Sequence, residues 1–497
     1  MKLTTEQADR AAGVLLGQAC GDALGVPYEF ATPPGPAEPA QMRGGGLGGF
    51  APGEWSDDTA MAVAVAEVLA GGADVAVDAA ADDVANGFLR WYADGPADIG
   101  VQTSRVLGWT GRHDADGRSV SRVMREQAMV YARSNPRSAG NGALMRTSPV
   151  ALRHLDDRER AADAARLVAA LTHADPLAGD SCVLWTEAIR VAVTAGEIDP
   201  RAGLDLVPGS RRGRWAEWLD DATDVERNRS ERVPGARFVP NGFTVTALQA
   251  AVAAVVTTPV PADLPCRHLQ DALHAAVRIG DDTDTVAAIA GGLLGARWGA
   301  SAVPWRWRRA VHGWPGAGAA RLVELATLAT RGGRPDRRGW PGAKEVAYAE
   351  AADAVAVPHP YDDGLLLGTH ASRGHEVDAV VSLCRVGQGQ PCFEGATEVV
   401  ESRLVDSDHP SKNPNLLFAL HDAADAVRGL RAEGKRVLLH CVAAHQRTPS
   451  VAVAYAVLLG HDPDEARAAV RAVLPGARAN GALWDAAADV ALAERGA

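Results

Sequence analysis

Aromatic side chains are scarce in this 497-residue chain, at 5% of the total. An interior short of them must be built from Ala, Val and Leu, which favours closely packed helices over sheets for much of the length. Long apolar runs are also missing. No uninterrupted stretch of 18 apolar residues occurs, and the start carries Glu6 and Asp9 ahead of a brief Val14-Leu15-Leu16, too short for a signal segment. The six cysteines, Cys20, Cys182, Cys266, Cys384, Cys392 and Cys441, include no Cys-x-x-Cys spacing, which argues against a zinc ribbon or a disulfide framework. A soluble protein in the reducing cytoplasm is the expectation, with no membrane partner. Excess positive charge is lacking too. The net charge is −12, divided as 37 basic against 41 acidic residues over 1–344 and 13 against 21 over 345–497. Neither part has the balance of a nucleic-acid or membrane-surface binder.

The length exceeds what one hydrophobic core usually serves, so two or three domains are expected. Apolar residues recur at helical spacing from Ala11 to Leu24, ending at a Gly-Asp-Ala-Leu-Gly turn over Gly21 to Gly25, with Glu29 just beyond. Further helical patterns run near 60–70, 76–93, 100–108, 118–133, 157–171, 177–195, 244–256, 268–278 and 285–298. No alternating strand pattern stands out before residue 345. Arg211, Arg212 and Arg214 beside Trp215 and Trp218 read as a solvated connection between helices. The Arg- and Gly-rich stretch 331–342 reads as a boundary, giving domains over 1–340 and 341–497. Past it, Leu365–Gly368, Val377–Leu383 and Arg436–Leu439 read as short buried strands, and 416–433, 448–459 and 463–473 as helices, an α/β texture.

Two acidic stretches stand out. Asp281-Asp282-Thr283-Asp284-Thr285 opens one small-residue helix, and Ser56-Asp57-Asp58-Thr59 opens another. Clustered hard oxygen ligands suit Mg²⁺ or Mn²⁺. The alternative is plain capping, with Ser56 and Thr283 as N-caps and the carboxylates offsetting the helix dipole. The pair exceeds what capping requires, and the two stretches are expected to face each other. Gly140-Asn141-Gly142 would let a ligand approach the backbone, or serve a tight turn.

These motifs, with Gly21–Gly25, Glu29, Asp98-Ile99-Gly100 and Gly242-Phe243, make residues 10–330 resemble the ADP-ribosylglycohydrolase family. The resemblance implies an all-α orthogonal bundle and a centre of two Mg²⁺ or Mn²⁺ ions that holds the distal ribose. It implies Ser56, Asp57, Asp58, Asp282, Asp284 and Thr285 as metal ligands, Glu29 as a metal-linked or water-activating carboxylate, and Asp98 as acid or base. Gly140, Asn141 and Gly142 would cradle the pyrophosphate of an ADP-ribosylated protein or small molecule.

His440-Cys441-Val442-Ala443-Ala444-His445-Gln446-Arg447-Thr448, placed between a strand and a helix, resembles the dual-specificity and tyrosine phosphatases. The resemblance implies a smaller α/β domain acting on a phosphate-bearing substrate. Cys441 would be the nucleophile, Arg447 the phosphate grip, Thr448 an aid to release and Asp406 the general acid, with Asp408 as fallback. That family has Gly where Ala444 stands, at a position that wants φ > 0. The alternative for Cys441 is a buried cysteine at a strand end. Two further readings stay open: a first domain that binds ADP-ribose without cleaving it, and a protein whose main activity is the phosphatase.

Overall fold

A computed structural model of the chain describes residues 2–113, 118–348 and 353–493. Two compact units result. The first comprises Met1–Pro261, Arg267–Val303 and Ala310–Arg334, and the second Ala262–Cys266, Pro304–Arg309 and Pro335–Ala497.

The first unit is helical. Five of its helices matter for the site: α1 (Thr5–Gly25), α2 (Asp57–Ala70), α3 (Pro176–Ala195), α4 (Thr244–Thr257) and α5 (Thr283–Trp298). The periodic segments read from the sequence are helices here, with bounds shifted by a few residues. Three readings differ. Gly21–Gly25 is no turn: α1 runs through it. Gly13, Gly17, Gly21 and Gly25 recur every fourth residue and so share one face. A Cβ on them would lie 2.3, 2.3, 2.0 and 2.3 Å from Gly295 O, Gly291 O, Ala287 O and Asp284 Cα, so α1 and α5 touch backbone to backbone. That contact offsets the helix propensity lost at each glycine, about 1 kcal/mol. It also presses the C-terminal end of α1 against the start of α5.

Residues Gly209–Thr223 form a helix rather than a solvated connection. Trp215 is fully buried and its Nε1 donates to Asp180 Oδ2 at 3.2 Å, while Arg211 Nη2 donates to Asp180 Oδ1 at 3.0 Å. Burial of that tryptophan overrides the polar character of its neighbours. A two-residue antiparallel pair, His312–Gly313 with Ala317–Gly318, also precedes residue 345, too short to leave a pattern.

The second unit holds a five-stranded sheet. Its strands are β1 (Ala356–His359), β2 (Asp362–Thr369), β3 (Ala379–Ser382), β4 (Glu398–Glu401) and β5 (Val437–Cys441), in the order β1-β2-β5-β3-β4. Only β1–β2 is antiparallel. β5 lies centrally, is buried along its whole length, and runs into the loop before α6 (Arg447–Leu458). The sequence reading has β2, β3 and β5 but not β1 or β4, whose residues are only partly covered. Trp305, far upstream, belongs to this core: its Nε1 donates to Asp425 Oδ2 at 2.7 Å and its backbone N to Asp422 Oδ1 at 2.6 Å.

Candidate active site

The two acidic stretches do face each other. α1 brings Asp22, the short turn Val26–Tyr28 after it brings Glu29, and α2 and α5 open with the other carboxylates. One ligand oxygen each from Asp22, Asp58 and Asp284 lie within 4.8 Å of one another, and so do those from Glu29, Asp98 and Asp284. Asp284 belongs to both groups.

The side-chain caps of the alternative reading are not made: Ser56 sits at its N-cap without one, and the N-cap of α5 is Asp282 rather than Thr283, also without one, although Asp57, Asp58 and Asp284 do stand in the first turns. Ser56 Oγ lies 2.9 Å from both Asp22 Oδ1 and Asp58 Oδ2. A hydroxyl has one proton to donate, so both contacts form only if a carboxyl supplies the second. Thr283 Oγ1 donates to Gly25 O at 2.8 Å, tying α5 to α1. Thr285 N donates to Asp284 Oδ1 at 3.0 Å, and the Asp282 carboxyl accepts from Asn141 Nδ2 at 2.7 Å. In the Asp98-Ile99-Gly100 loop, Ile99 N donates to Asp98 Oδ1 at 2.8 Å.

Electrostatically the cluster is unbalanced. Burial, followed by Asp98, Asp282, Asp57 and Asp22, pushes the Glu29 carboxyl up to about 9. Burial pushes Asp22 up to about 6 despite hydrogen bonds from Thr59 and Ser56. Asp57, Asp58 and Asp284 lie well above the usual carboxylate range, first through burial and then through the charge of nearby acids, chiefly Asp98 on Asp57, Asp22 on Asp58 and Asp58 on Asp284. Among the described residues Asp58 Oδ1 is buried with no hydrogen-bond partner. Desolvated carboxylates cost several kcal/mol each unless paired. A set of oxygen donors held this close therefore fits hard divalent cations.

At Gly140 and Gly142 the missing side chains make room for His173: a Cβ would sit 3.3 Å from its Nε2 and 3.2 Å from its Cε1. Neither glycine has positive φ. Their identity is explained by that ring before any ligand.

In the second unit, Cys441 ends β5, Arg447 and Thr448 open α6, and Asp406 Oδ2 lies 3.8 Å from Arg447 Nε. Arg447 Nη1 donates to Leu383 O at 2.7 Å, and its Nε is buried without a hydrogen-bond partner among the described residues. Thr448 is fully buried with Oγ1 donating to Gly368 O at 3.4 Å. Asp408 Oδ1 accepts from Gln446 Nε2 (3.1 Å) and Ala482 N (2.9 Å), so it holds the loop together while Asp406 stays partly exposed. Ala444 has φ +52°, the left-handed conformation expected for that position.

A family model described as ADP-ribosylglycohydrolase matches residues 3–337. The chain belongs to that family. The ADP-ribosylarginine hydrolase Tri1 of Pseudomonas putida is 31% identical to it over 61% of this chain and 75% of its own. The ADP-ribosyl-[dinitrogen reductase] glycohydrolase of Rhodospirillum rubrum is 29% identical over 60% of this chain and 89% of its own. A solved structure of a mouse putative dual specificity phosphatase complexed with zinc tungstate covers 30% of this chain and 95% of its own, at 21% identity and TM-score 0.25, too low to bear on the fold.

Within this ADP-ribosylglycohydrolase framework, the sequence reading missed Asp22 as a site residue. It sat inside a quoted motif but was taken for part of a turn. The four-residue glycine spacing was the available signal, because it makes α1 continuous and aims Asp22 at α2. No helix among the described residues is long and apolar enough to cross a membrane.

Proposed function

We propose that the first unit hydrolyses the glycosidic bond between ADP-ribose and an acceptor, with two Mg²⁺ or Mn²⁺ ions as cofactors. The observation that carries this is the pair of carboxylate groups sharing Asp284, with Asp58 Oδ1 unpartnered between buried acids. Asp22, Asp58 and Asp284 would hold one ion and Glu29, Asp98 and Asp284 the other, with Ser56, Asp57, Asp282 and Thr285 completing or orienting the two sets. When bound there, such ions polarise ribose hydroxyls and make a coordinated water more acidic. The chain's own residues do the rest. Of Glu29, on its short turn, and Asp98, on its loop, one carboxyl would take the proton of the attacking water and the other would return a proton to the leaving acceptor, a reading supported by their closeness to Asp284. Asn141 is held by Asp282 and offers its loop to the diphosphate. The names of the relatives support arginine as one acceptor class, since P. putida Tri1 is an ADP-ribosylarginine hydrolase.

A second activity, phosphate-ester hydrolysis at Cys441, is supported by one specific observation. Among the described residues the buried Arg447 Nε, at the N-terminus of a 12-residue helix, has no hydrogen-bond partner and only Asp406 Oδ2 at 3.8 Å, an arrangement suited to a bound anion. Incubation of the whole protein with a panel of ADP-ribosylated acceptors, with and without EDTA, tests the first reading. EDTA-sensitive release of ADP-ribose is expected. Binding of ADP-ribose with release from none of the acceptors would make the unit a binding module instead.

A further inference from the structure

Asn241 lies outside every residue assigned to the chemistry, yet it is fully buried and all four of its polar groups are engaged at the acidic site. Its side-chain Oδ1 accepts from Asp282 N at 2.9 Å and its Nδ2 donates to Gly280 O at 3.1 Å. Its backbone N donates to Asp281 Oδ2 at 2.8 Å, and its backbone O accepts from Asn141 Nδ2 at 3.1 Å. The amide thus pairs with residues 280–282 as an adjacent strand would. Only a side chain with one donor and one acceptor side by side can do this.

The segment it grips is strained. Asp281 has φ +66°, a non-glycine residue in the left-handed region, a conformation that persists only where the surroundings hold it. That conformation turns Asp281 O toward Phe30 N, which donates to it at 2.8 Å. Phe30 follows Glu29 and is itself left-handed, at φ +48°. On the other side, Asn141 Nδ2 bridges Asn241 O and Asp282 Oδ2, and Asn141 N donates to Gly242 O at 3.1 Å. Three separate segments, the Glu29 turn, the Gly140–Gly142 loop and the start of α5, are therefore referenced to one asparagine.

We propose that Asn241 is a positioning residue: through Asp281 and Asp282 it sets the placement of Glu29 and of the α5 carboxylates, an inference that rests on the cation-dependent reading of the site. All its polar groups are taken up by protein partners, so its effect would pass through Asp281 and Asp282. Partners of this kind, one step behind the ligands, typically change metal affinity or activity by about 10–100-fold when removed.

The test uses the full-length protein. Asn241→Ala is expected to weaken binding of Mn²⁺ alone, titrated by calorimetry, by about 10–100-fold, and to lower kcat by a similar factor while KM stays close to its original value. Its melting curve in EDTA should stay within a few degrees, and amide exchange at Phe30 and Asp282 should quicken while the interior of α5 stays protected. Asp281→Asn keeps an acceptor for Asn241 N and tolerates the positive φ, so it should retain Mn²⁺ affinity, whereas Asp281→Ala should lose it. Unchanged Mn²⁺ affinity, kcat and amide exchange in a folded Asn241→Ala protein overturn the proposal. If that variant does not fold, equal behaviour of Asp281→Asn and Asp281→Ala overturns it instead. Should the unaltered protein bind no Mn²⁺ and release no ADP-ribose, the cation-dependent reading falls on its own, and exchange at Phe30 and Asp282 still decides the role of Asn241.

Discussion

Two helix-start constellations in this chain manage their polar groups in opposite ways. At the openings of α2 and α5, buried carboxylates face one another with their charge unbalanced, and Asp58 Oδ1 has no hydrogen-bond partner among the described residues. At the opening of α6, much of the equivalent machinery is satisfied by the protein itself, with Arg447 Nη1 on Leu383 O and Thr448 Oγ1 on Gly368 O. The first arrangement is electrostatically incomplete and so depends on what binds it. The second holds its shape alone, apart from Arg447 Nε, which among the described residues has no hydrogen bond and only the Asp406 carboxylate at 3.8 Å, and the left-handed backbone at Ala444. Asp284, common to both carboxylate groups, is where the contrast breaks most sharply. Asp284→Ala should lower ADP-ribose release on the order of 10³-fold, the rate equivalent of several kcal/mol of lost charge stabilisation. Removal of one of several mutually repelling buried acids should at the same time raise the melting temperature in EDTA by a few degrees. A variant that loses activity and stability together would mean that Asp284 is a structural acid.

The same imbalance fixes a pH dependence. Glu29 and Asp22 hold their protons more tightly in the folded protein, at about 9 and about 6, than the 4.5 and 3.8 of the free groups. Between those limits the folded state binds more protons than the unfolded one, so stability falls as pH rises. The contribution is intact below about pH 4 and is lost through about 6 for Asp22 and about 9 for Glu29. In EDTA the melting temperature should therefore decline from pH 5 to pH 8. Saturating Mg²⁺ or Mn²⁺ should restore several degrees, more at pH 8 than at pH 5, because a cation binds the deprotonated cluster. A cation-induced shift that is the same at both values would place binding elsewhere.

Cys441→Ser separates the constellations chemically. Aryl phosphate hydrolysis should fall to background while metal-dependent ADP-ribose release stays unchanged, and EDTA should do the reverse. No aryl phosphate hydrolysis by the unaltered protein would reassign the second unit as a phosphate- or partner-binding module.

What could be read from the sequence follows from how local each feature is. The acidic stretches, the long helices of the first unit and the Cys-x5-Arg loop are contiguous patterns, and the chemistry they carry depends on neighbours in the chain. Asp22, Asn241 and Trp215 were not legible because their roles depend on segments far away in the sequence: Asp22 on Ser56 and Thr59, Asn241 on Asn141 and residues 280–282, Trp215 on Asp180. Gly21 and Gly25 were misread for the same reason. A glycine that ends a helix and one that admits another helix look alike until the partner, here Ala287 and Asp284, is known. Trp305 shows the limit at domain scale, since Pro304–Arg309 belongs to the second unit and its Trp305 joins a core whose other buried residues begin at Leu365.

Ala444 offers the smallest effect and the finest test of the second constellation. Its φ of +52° costs an alanine about 1–2 kcal/mol relative to a right-handed conformation. Glycine removes that strain, but it adds about 0.5–1 kcal/mol of unfolded-state entropy. It also gives up the methyl group of a residue that is 5% exposed within the sheet's core, a burial worth about 0.8 kcal/mol. These terms nearly cancel, so Ala444→Gly should change stability by less than about 1 kcal/mol in denaturant melts. Activity carries the information instead. If the methyl group distorts the loop that must present its N–H groups to a phosphate, Ala444→Gly should raise aryl phosphate hydrolysis several-fold without altering ADP-ribose release. If the loop already has its working shape, held by Arg478 N donating to His445 O at 2.7 Å and by Gln446 on Asp408, turnover should not move. Ala444→Val, with a β-branched side chain at positive φ, should lower stability and turnover in either case.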